Sequence, residues 1–170
     1  MAGDILVLVE HAEGKVDSIT FQLLAAGHKL ASELNAGLVA LAIGHRLESV
    51  STALQGNDVD RILLVDDPAL ASAAGEMHAR VIADVARRIV PRIVLIGYSL
   101  VGMELTPAIA TNLSMNALTN CVSVDIRDGA VTVTRPVFDS TMHAKVALEE
   151  NEAAVIALQK GSFAALELAY

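Results

Sequence analysis

The stretch Ile93-Val94-Leu95-Ile96-Gly97 limits the fold more than any other part of the chain. Its four apolar residues run without polar alternation, which suits a strand covered on both faces, as in a parallel sheet. Pro91 stands just before it, where a missing N–H costs little. Gly97 ends the run and Tyr98 to Gly102 reads as a loop. Met103, Leu105, Ile109 and Leu113 then open a helical pattern. Because proline is tolerated in the first turn of a helix, Pro107 predicts a helix start near Gly102 to Glu104. Strand, glycine loop and helix in that order form one βα unit. In open α/β sheets ligands bind at the carboxyl ends of the strands. Gly97, Ser99, Gly102 and Thr106 are therefore the candidate floor of a small-molecule crevice. Backbone N–H groups at a helix start attract anions, so the phosphate or ribose end of a nucleotide is its expected occupant. Glu104, in the same expected first turn, opposes that occupant.

Three earlier runs share this character: Ile5 to Val9, Leu38 to Ile43 and Arg61 to Val65. Between them lie helical patterns. Ile19, Leu23, Ala26, Leu30 and Leu34 mark the first, from about Ser18 or Thr20 to Leu34, with Gly37 available as a left-handed stop. Glu10 to Lys15 reads as a polar loop and Glu48 to Leu54 as a short helix. Met77, Val81, Ile82, Val85 and Ile89 mark a helix from about Ser72 to Ile89. This β-α alternation predicts an α/β fold with a mostly parallel sheet. Later the period changes to two. Cys121 to Arg127 and Val131 to Thr134 flank Asp128-Gly129, a two-residue hairpin signal. Arg135-Pro136 breaks the second run, Met142 to Leu148 alternates, and Ala153 to Leu158 forms a last strand. The C-terminal third reads as antiparallel hairpins appended to the parallel sheet.

Length and charge narrow the function. A chain of 170 residues is most simply one domain. Its net charge is −8, and no basic run provides a footprint for nucleic acid. The chain is 54% hydrophobic but 3% aromatic, so its core is built from Ala, Val, Leu and Ile. Cys121 is the single cysteine, which excludes an intrachain disulfide and suits a reducing, cytoplasmic location. Ile5 to Val9 is too short for a secretory leader, and no apolar run has the roughly 20 residues of a membrane span.

No motif marks a catalyst. G-x-G-x-x-G and the P-loop pattern are both missing, as is a G-x-S-x-G elbow around Ser99. We assign no catalytic residue. His11 and His45 each follow a strand and share a rim, but lack partners at metal-ligand spacing, so no metal site is assigned. Asp66-Asp67-Pro68 reads as a strand end and turn cap, with a bound cation as the alternative. Cys121 reads as a packed thiol. Arg135, Phe138 and Met142 are the candidate interface: large apolar residues beside Pro136, next to a strand that could be a sheet edge. The alternative is that Phe138 and Met142 fold back onto the domain's own helices.

The segments Ile5-Leu6-Val7-Leu8-Val9-Glu10-His11, Leu41-Ala42-Ile43-Gly44-His45, Val65-Asp66-Asp67-Pro68-Ala69-Leu70, Gly97 to Leu113 and Val133-Thr134-Arg135-Pro136-Val137-Phe138 resemble, in order and spacing, the amino-terminal domain of the electron transfer flavoprotein α subunit. The resemblance covers about residues 4 to 163. It implies a three-layer α/β/α sandwich, adenine nucleotide alpha hydrolase-like or Rossmann-like, that contributes scaffold and subunit contacts. It also implies a β-subunit-like partner, with a second copy of the chain (a homodimer) as the other option. In the family, a second α-subunit domain carries most of the FAD site, and this chain reaches Tyr170 about where that domain would begin. The expectation is a stand-alone domain that binds no FAD by itself, FAD belonging to the complete assembly. After Arg135-Pro136 the family's small-residue stretch is replaced by Phe138-Asp139-Ser140-Thr141-Met142-His143, so no flavin contact is carried over. Two other readings remain: an adenine-nucleotide-binding regulatory module taking AMP, and one part of a split α subunit.

Overall fold

The computed structural model describes residues 3–71 and 75–164. The first strand, β1 (Ile5–Leu8), leads into a small two-stranded ribbon, β2 (His11–Ala12) and β3 (Lys15–Val16). A tight turn with left-handed Glu13 and Gly14 folds this ribbon out of what the sequence presents as a plain polar loop. Helix α1 (Ser18–Leu34) follows, capped by the Asp17 carboxylate, which accepts from the Ile19 N–H. The residue that ends α1 in left-handed conformation is Asn35 (φ 51°), in place of the expected Gly37. Asparagine tolerates that conformation. Gly37 is needed instead for space, since a Cβ there would lie 2.9 Å from Asp4 Oδ1.

Next come β4 (Leu38–Gly44), α2 (Glu48–Leu54), β5 (Arg61–Asp66), a 3₁₀ turn at Pro68–Leu70, α3 (Gly75–Ile89), β6 (Ile93–Gly97) and α4 (Leu100–Leu113). The expected start of the third helix at Ser72 lies outside the described residues. Helix α4 begins earlier than its proline suggested. Ser99 is its N-cap, and Pro107 sits inside the helix. Met103, whose carbonyl loses its partner at Pro107, and Pro107 itself both face solvent. Water can therefore take the freed carbonyl, which moderates the usual cost of an internal proline.

The C-terminal third contains β7 (Asn116–Cys121), β8 (Ser123–Arg127), β9 (Ala130–Val137), β10 (Met142–Ala147) and β11 (Ala154–Leu158). β8, β9 and β10 form a three-stranded antiparallel sheet, with Asp128-Gly129 as the two-residue turn between the first two. β9 runs straight through Arg135-Pro136. Its pairing with β8 stops at Thr134, so Pro136 has only β10 beside it, and an edge position tolerates a missing donor. β11 departs from the sequence reading. It is no hairpin strand but a parallel one, inserted between β6 and β7.

The main sheet thus has six strands in the order β5-β4-β1-β6-β11-β7, every pairing parallel. Successive residues of β1 feed opposite cores. Ile5 and Val7 pack with α1 and α2, while Leu6 and Leu8 pack with α3 and α4. This is the three-layer α/β/α sandwich. Val124, Val131 and Val133 of the small sheet join the α1 side of the core. Among the described residues no helix is long and apolar enough to cross a membrane.

Candidate functional site

The chain runs outward from β1 to β4 and β5, then returns to place β6 on the other flank of β1. That reversal is the switch point at which open α/β sheets leave a crevice. Two segments meet there: Glu10, just past β1, and Gly97 to Ser99, at the end of β6. Glu10 is held by its backbone. Its N–H donates to Thr20 Oγ1 at 2.9 Å, the Thr20 hydroxyl donates back to the Glu10 carbonyl at 3.1 Å, and the Asp17 N–H donates to the same carbonyl at 2.8 Å.

The Glu10 side chain turns into the crevice. A Cβ on Gly97 would fall 2.3 Å from Glu10 Oε1, so only glycine leaves room for this carboxylate. Oε1 is buried, with no donor in hydrogen-bond geometry. Burial raises the Glu10 pKa above the ordinary 4.5, and the nearby Asp17 charge adds to the rise. The Ser99 hydroxyl, the Gly97 backbone and Lys160 lie close enough to temper the shift.

The four sequence-predicted crevice residues come together in the strand–helix junction. Ser99 Oγ accepts from the Gly102 N–H at 3.0 Å, and Thr106 donates its hydroxyl to the Gly102 carbonyl at 2.6 Å. Gly102 packs on the end of β6, where a Cβ would lie 1.8 Å from the Gly97 carbonyl oxygen. These groups serve the junction itself. The carboxylate beside them is Glu10. Glu104 instead turns to α3, where a Cβ on Gly75 would be 2.0 Å from its Oε1.

Beside the junction lies a partly open cavity of about 450 Å³. Its apolar wall includes Leu8, Leu41, Ile43, Ile82, Ile96 and Leu105, and its polar rim includes Glu10, His11, Glu13, His45 and His78. The expected rim histidines, His11 and His45, thus do meet, joined by His78 from α3. From the α4 unit the wall takes Ile96, Val101 and Leu105; Gly97, Ser99, Gly102 and Thr106 stand apart from it.

The Asp66-Asp67 pair is occupied by N–H donors. Asp66 accepts from the N–H groups of Arg46 (2.9 Å) and Leu47 (2.8 Å) and from His45 Nδ1 (3.2 Å), which lowers its pKa. Asp67 caps the 3₁₀ turn, accepting from the Ala69 N–H at 2.8 Å. Among the described residues no cluster of His, Cys, Asp or Glu has metal-binding geometry. Cys121 is buried at the end of β7, and desolvation pushes its thiol up to about 11.

At the β9–β10 turn, Phe138 is 76% exposed and Met142 59% exposed, so neither folds back onto the helices. Phe138, Asp139 and Ser140 all hold left-handed backbone. Arg135 points back toward the main sheet, its Nη2 3.5 Å from Thr119 Oγ1. Sequence reasoning missed a second apolar surface. Leu100, 83% exposed, stands with Val101 and Met103 at the start of α4. Met77 of α3 is exposed too, and the Gly75–Glu104 contact draws the two helix starts together. The signal was present as Leu100-Val101, apolar residues in a stretch read as loop, followed by Met103 at the expected helix start.

A family model described as the electron transfer flavoprotein domain matches residues 5–169. The electron transfer flavoprotein subunit alpha of Clostridium acetobutylicum is 28% identical over 161 residues, covering 94% of this chain and 48% of that protein. The acryloyl-CoA reductase electron transfer subunit beta of Anaerotignum propionicum is 33% identical over 123 residues, 72% of this chain and 34% of its own length. Protein FixB of Clostridium saccharobutylicum is 27% identical over 161 residues, with 94% and 48% covered. The chain spans about half the length, or less, of these relatives.

Proposed function

The chain belongs to the electron transfer flavoprotein domain family, and from that membership we propose that it works as a scaffold and docking module in flavin-dependent electron transfer, without a catalytic centre of its own. The observation that carries this reading is the β9–β10 tip, where two large apolar side chains, Phe138 and Met142, stand in solvent. Beside them β10 pairs with β9 alone and leaves its outer edge free among the described residues. Exposed edges and apolar patches of this kind are used for pairing. The partner is a β-subunit-like protein or a second copy of this chain, with Arg135, Phe138 and Met142 at the contact. Light scattering of the purified chain tests self-association, and co-purification from the source organism tests the heteromer. A separate flavin-binding polypeptide in the same pull-down is the result the split-subunit reading requires. Phe138→Glu should abolish association and, with it, the stabilisation that association lends to the folded chain. A monomer that captures nothing, indifferent to that substitution, refutes the docking role.

The residues present do not fit a flavin. The carboxylate of Glu10 stands at the strand–helix junction where a pyrophosphate would meet the helix start, and the described cavity lining contains no Lys or Arg. We therefore expect a colourless preparation of this chain, without a flavin absorbance band. The second reading, an AMP-binding regulatory module, draws on the cavity at the switch point. Calorimetry with AMP and ATP at millimolar concentration tests it, and heats no larger than dilution remove it.

A further inference from the structure

We propose that the cavity beneath His11, His45 and His78 is a binding site for a small, uncharged or cationic ring compound bearing N–H donors, and that it rejects anions. The site is already formed. At about 450 Å³ it falls within the range of small-molecule pockets, roughly 300–1,000 Å³. Its floor is the apolar carboxyl end of β1, β4 and β6 against α3 and α4, a surface suited to a flat ring.

The rim fixes the polarity of the ligand. The backbone carbonyl of Ile43 faces His11 Nε2 at 2.9 Å. A carbonyl only accepts, so this nitrogen carries the proton and Nδ1 of the neutral ring is left as an acceptor. The Leu70 carbonyl fixes His78 the same way through Nε2, at 3.3 Å. Asp66 accepts from His45 Nδ1, so Nε2 is the nitrogen of that ring left to the rim. Each imidazole directs one ring N–H at the protein, and the second nitrogen is an acceptor when the ring is neutral. Glu13 adds an exposed carboxylate to the same rim, while the Glu10 carboxylate is turned to Gly97. The rim carries the Glu13 charge and, in the described lining, no Lys or Arg. A phosphate would meet repulsion and few donors. An amino-substituted heterocycle would meet partners for its N–H groups and an apolar bed for its ring.

Adenosine and AMP are a matched probe pair, sharing a ring and differing by one phosphate. Titration calorimetry of the full 170-residue chain should detect adenosine in the micromolar-to-millimolar range, with AMP at least about tenfold weaker from the like charges at the rim. Glu13→Lys, at an exposed position, should narrow that ratio by strengthening AMP. Ala12→Trp, on the exposed ribbon that borders the cavity, should remove adenosine binding with the melting temperature kept. No adenosine heat at millimolar concentration overturns the proposal, as does adenosine binding that survives Ala12→Trp. AMP binding as tightly as adenosine or tighter overturns it in favour of the nucleotide reading. The docking role is untouched by any of these results, because its readout is association through Phe138.

Discussion

Gly102→Ala sets two physical effects against each other at the centre of the βα unit. Gly102 is the third residue of α4, and alanine is the better helix former by about 1 kcal/mol. Propensity alone therefore predicts a stabilised protein. The structure predicts the reverse. A Cβ at residue 102 would lie 1.8 Å from the Gly97 carbonyl oxygen, where real Cβ contacts essentially never fall under 3.0 Å, so a separation of at least 3.0 − 1.8 = 1.2 Å must open. The obstacle is backbone and cannot rotate away. β6 is fixed between β1 and β11, and the Tyr98 N–H donates to the Leu158 carbonyl at 2.7 Å. The helix must lift, which loosens the Ser99–Gly102 cap and the packing of Leu105 and Ile109. Overpacking costs about 1–3 kcal/mol, and with immobile backbone on one side the upper end applies. Subtracting the propensity gain leaves a net loss of about 2 kcal/mol, or about 4–8 °C in Tm for a domain of this size. Scanning calorimetry of wild type and variant measures it. A Tm equal to or above wild type would refute the close seating of α4 on Gly97.

Three further outcomes follow from burial and charge. Leu95 is fully buried in β6, so Leu95→Asp loses about 1.5–3 kcal/mol of apolar burial and strands a carboxylate; chemical denaturation should find the variant unfolded, and a normal melt would remove Leu95 from the core. Cys121, buried with its thiol pushed up to about 11, should resist alkylation at neutral pH until denaturant is added, and labelling of the native protein at the rate of a free thiol would contradict its placement. Glu10 binds its proton more tightly folded than unfolded. Its contribution to stability is complete below the ordinary 4.5 and is lost as pH rises through the elevated folded value. Glu10→Gln should therefore be at least as stable as wild type at pH 7, with the difference shrinking toward pH 4; a pH-independent difference would refute the buried carboxylate.

What the sequence made legible follows from which forces are local. Strands buried on both faces announce themselves, because every residue must be apolar; β1, β4 and β6 are found that way. β7 is not, for Asn116-Ala117-Leu118-Thr119-Asn120-Cys121 lies at the edge of the sheet beside β11 alone, and its polar residues Asn116, Thr119 and Asn120 take exposed or half-buried positions. The Asp128-Gly129 turn is legible because a two-residue hairpin is specified by its own backbone. β11 carries the same unbroken apolar run as the parallel strands, Ala154-Val155-Ile156-Ala157-Leu158, and every one of its residues is buried. Its neighbours in the chain are hairpins, and that adjacency suggested an antiparallel partner. Its actual partners, Ile93 to Gly97 on one side and Asn116 to Cys121 on the other, are chosen by tertiary packing, which leaves no local mark.

The site divides along the same line. Ser99 and Gly102 are visible because capping and close packing act within one turn of helix. The competing carboxylate is a tertiary fact. Sequence spacing nominated Glu104, whereas the chain reversal at the switch point delivers Glu10 to Gly97 and Ser99. A crevice that would suit phosphate by its helix start is thereby filled by a negative charge from the neighbouring strand. The ligand preference of this face then falls to the rim that the β2–β3 ribbon, the end of β4 and α3 assemble, and not to the glycine loop.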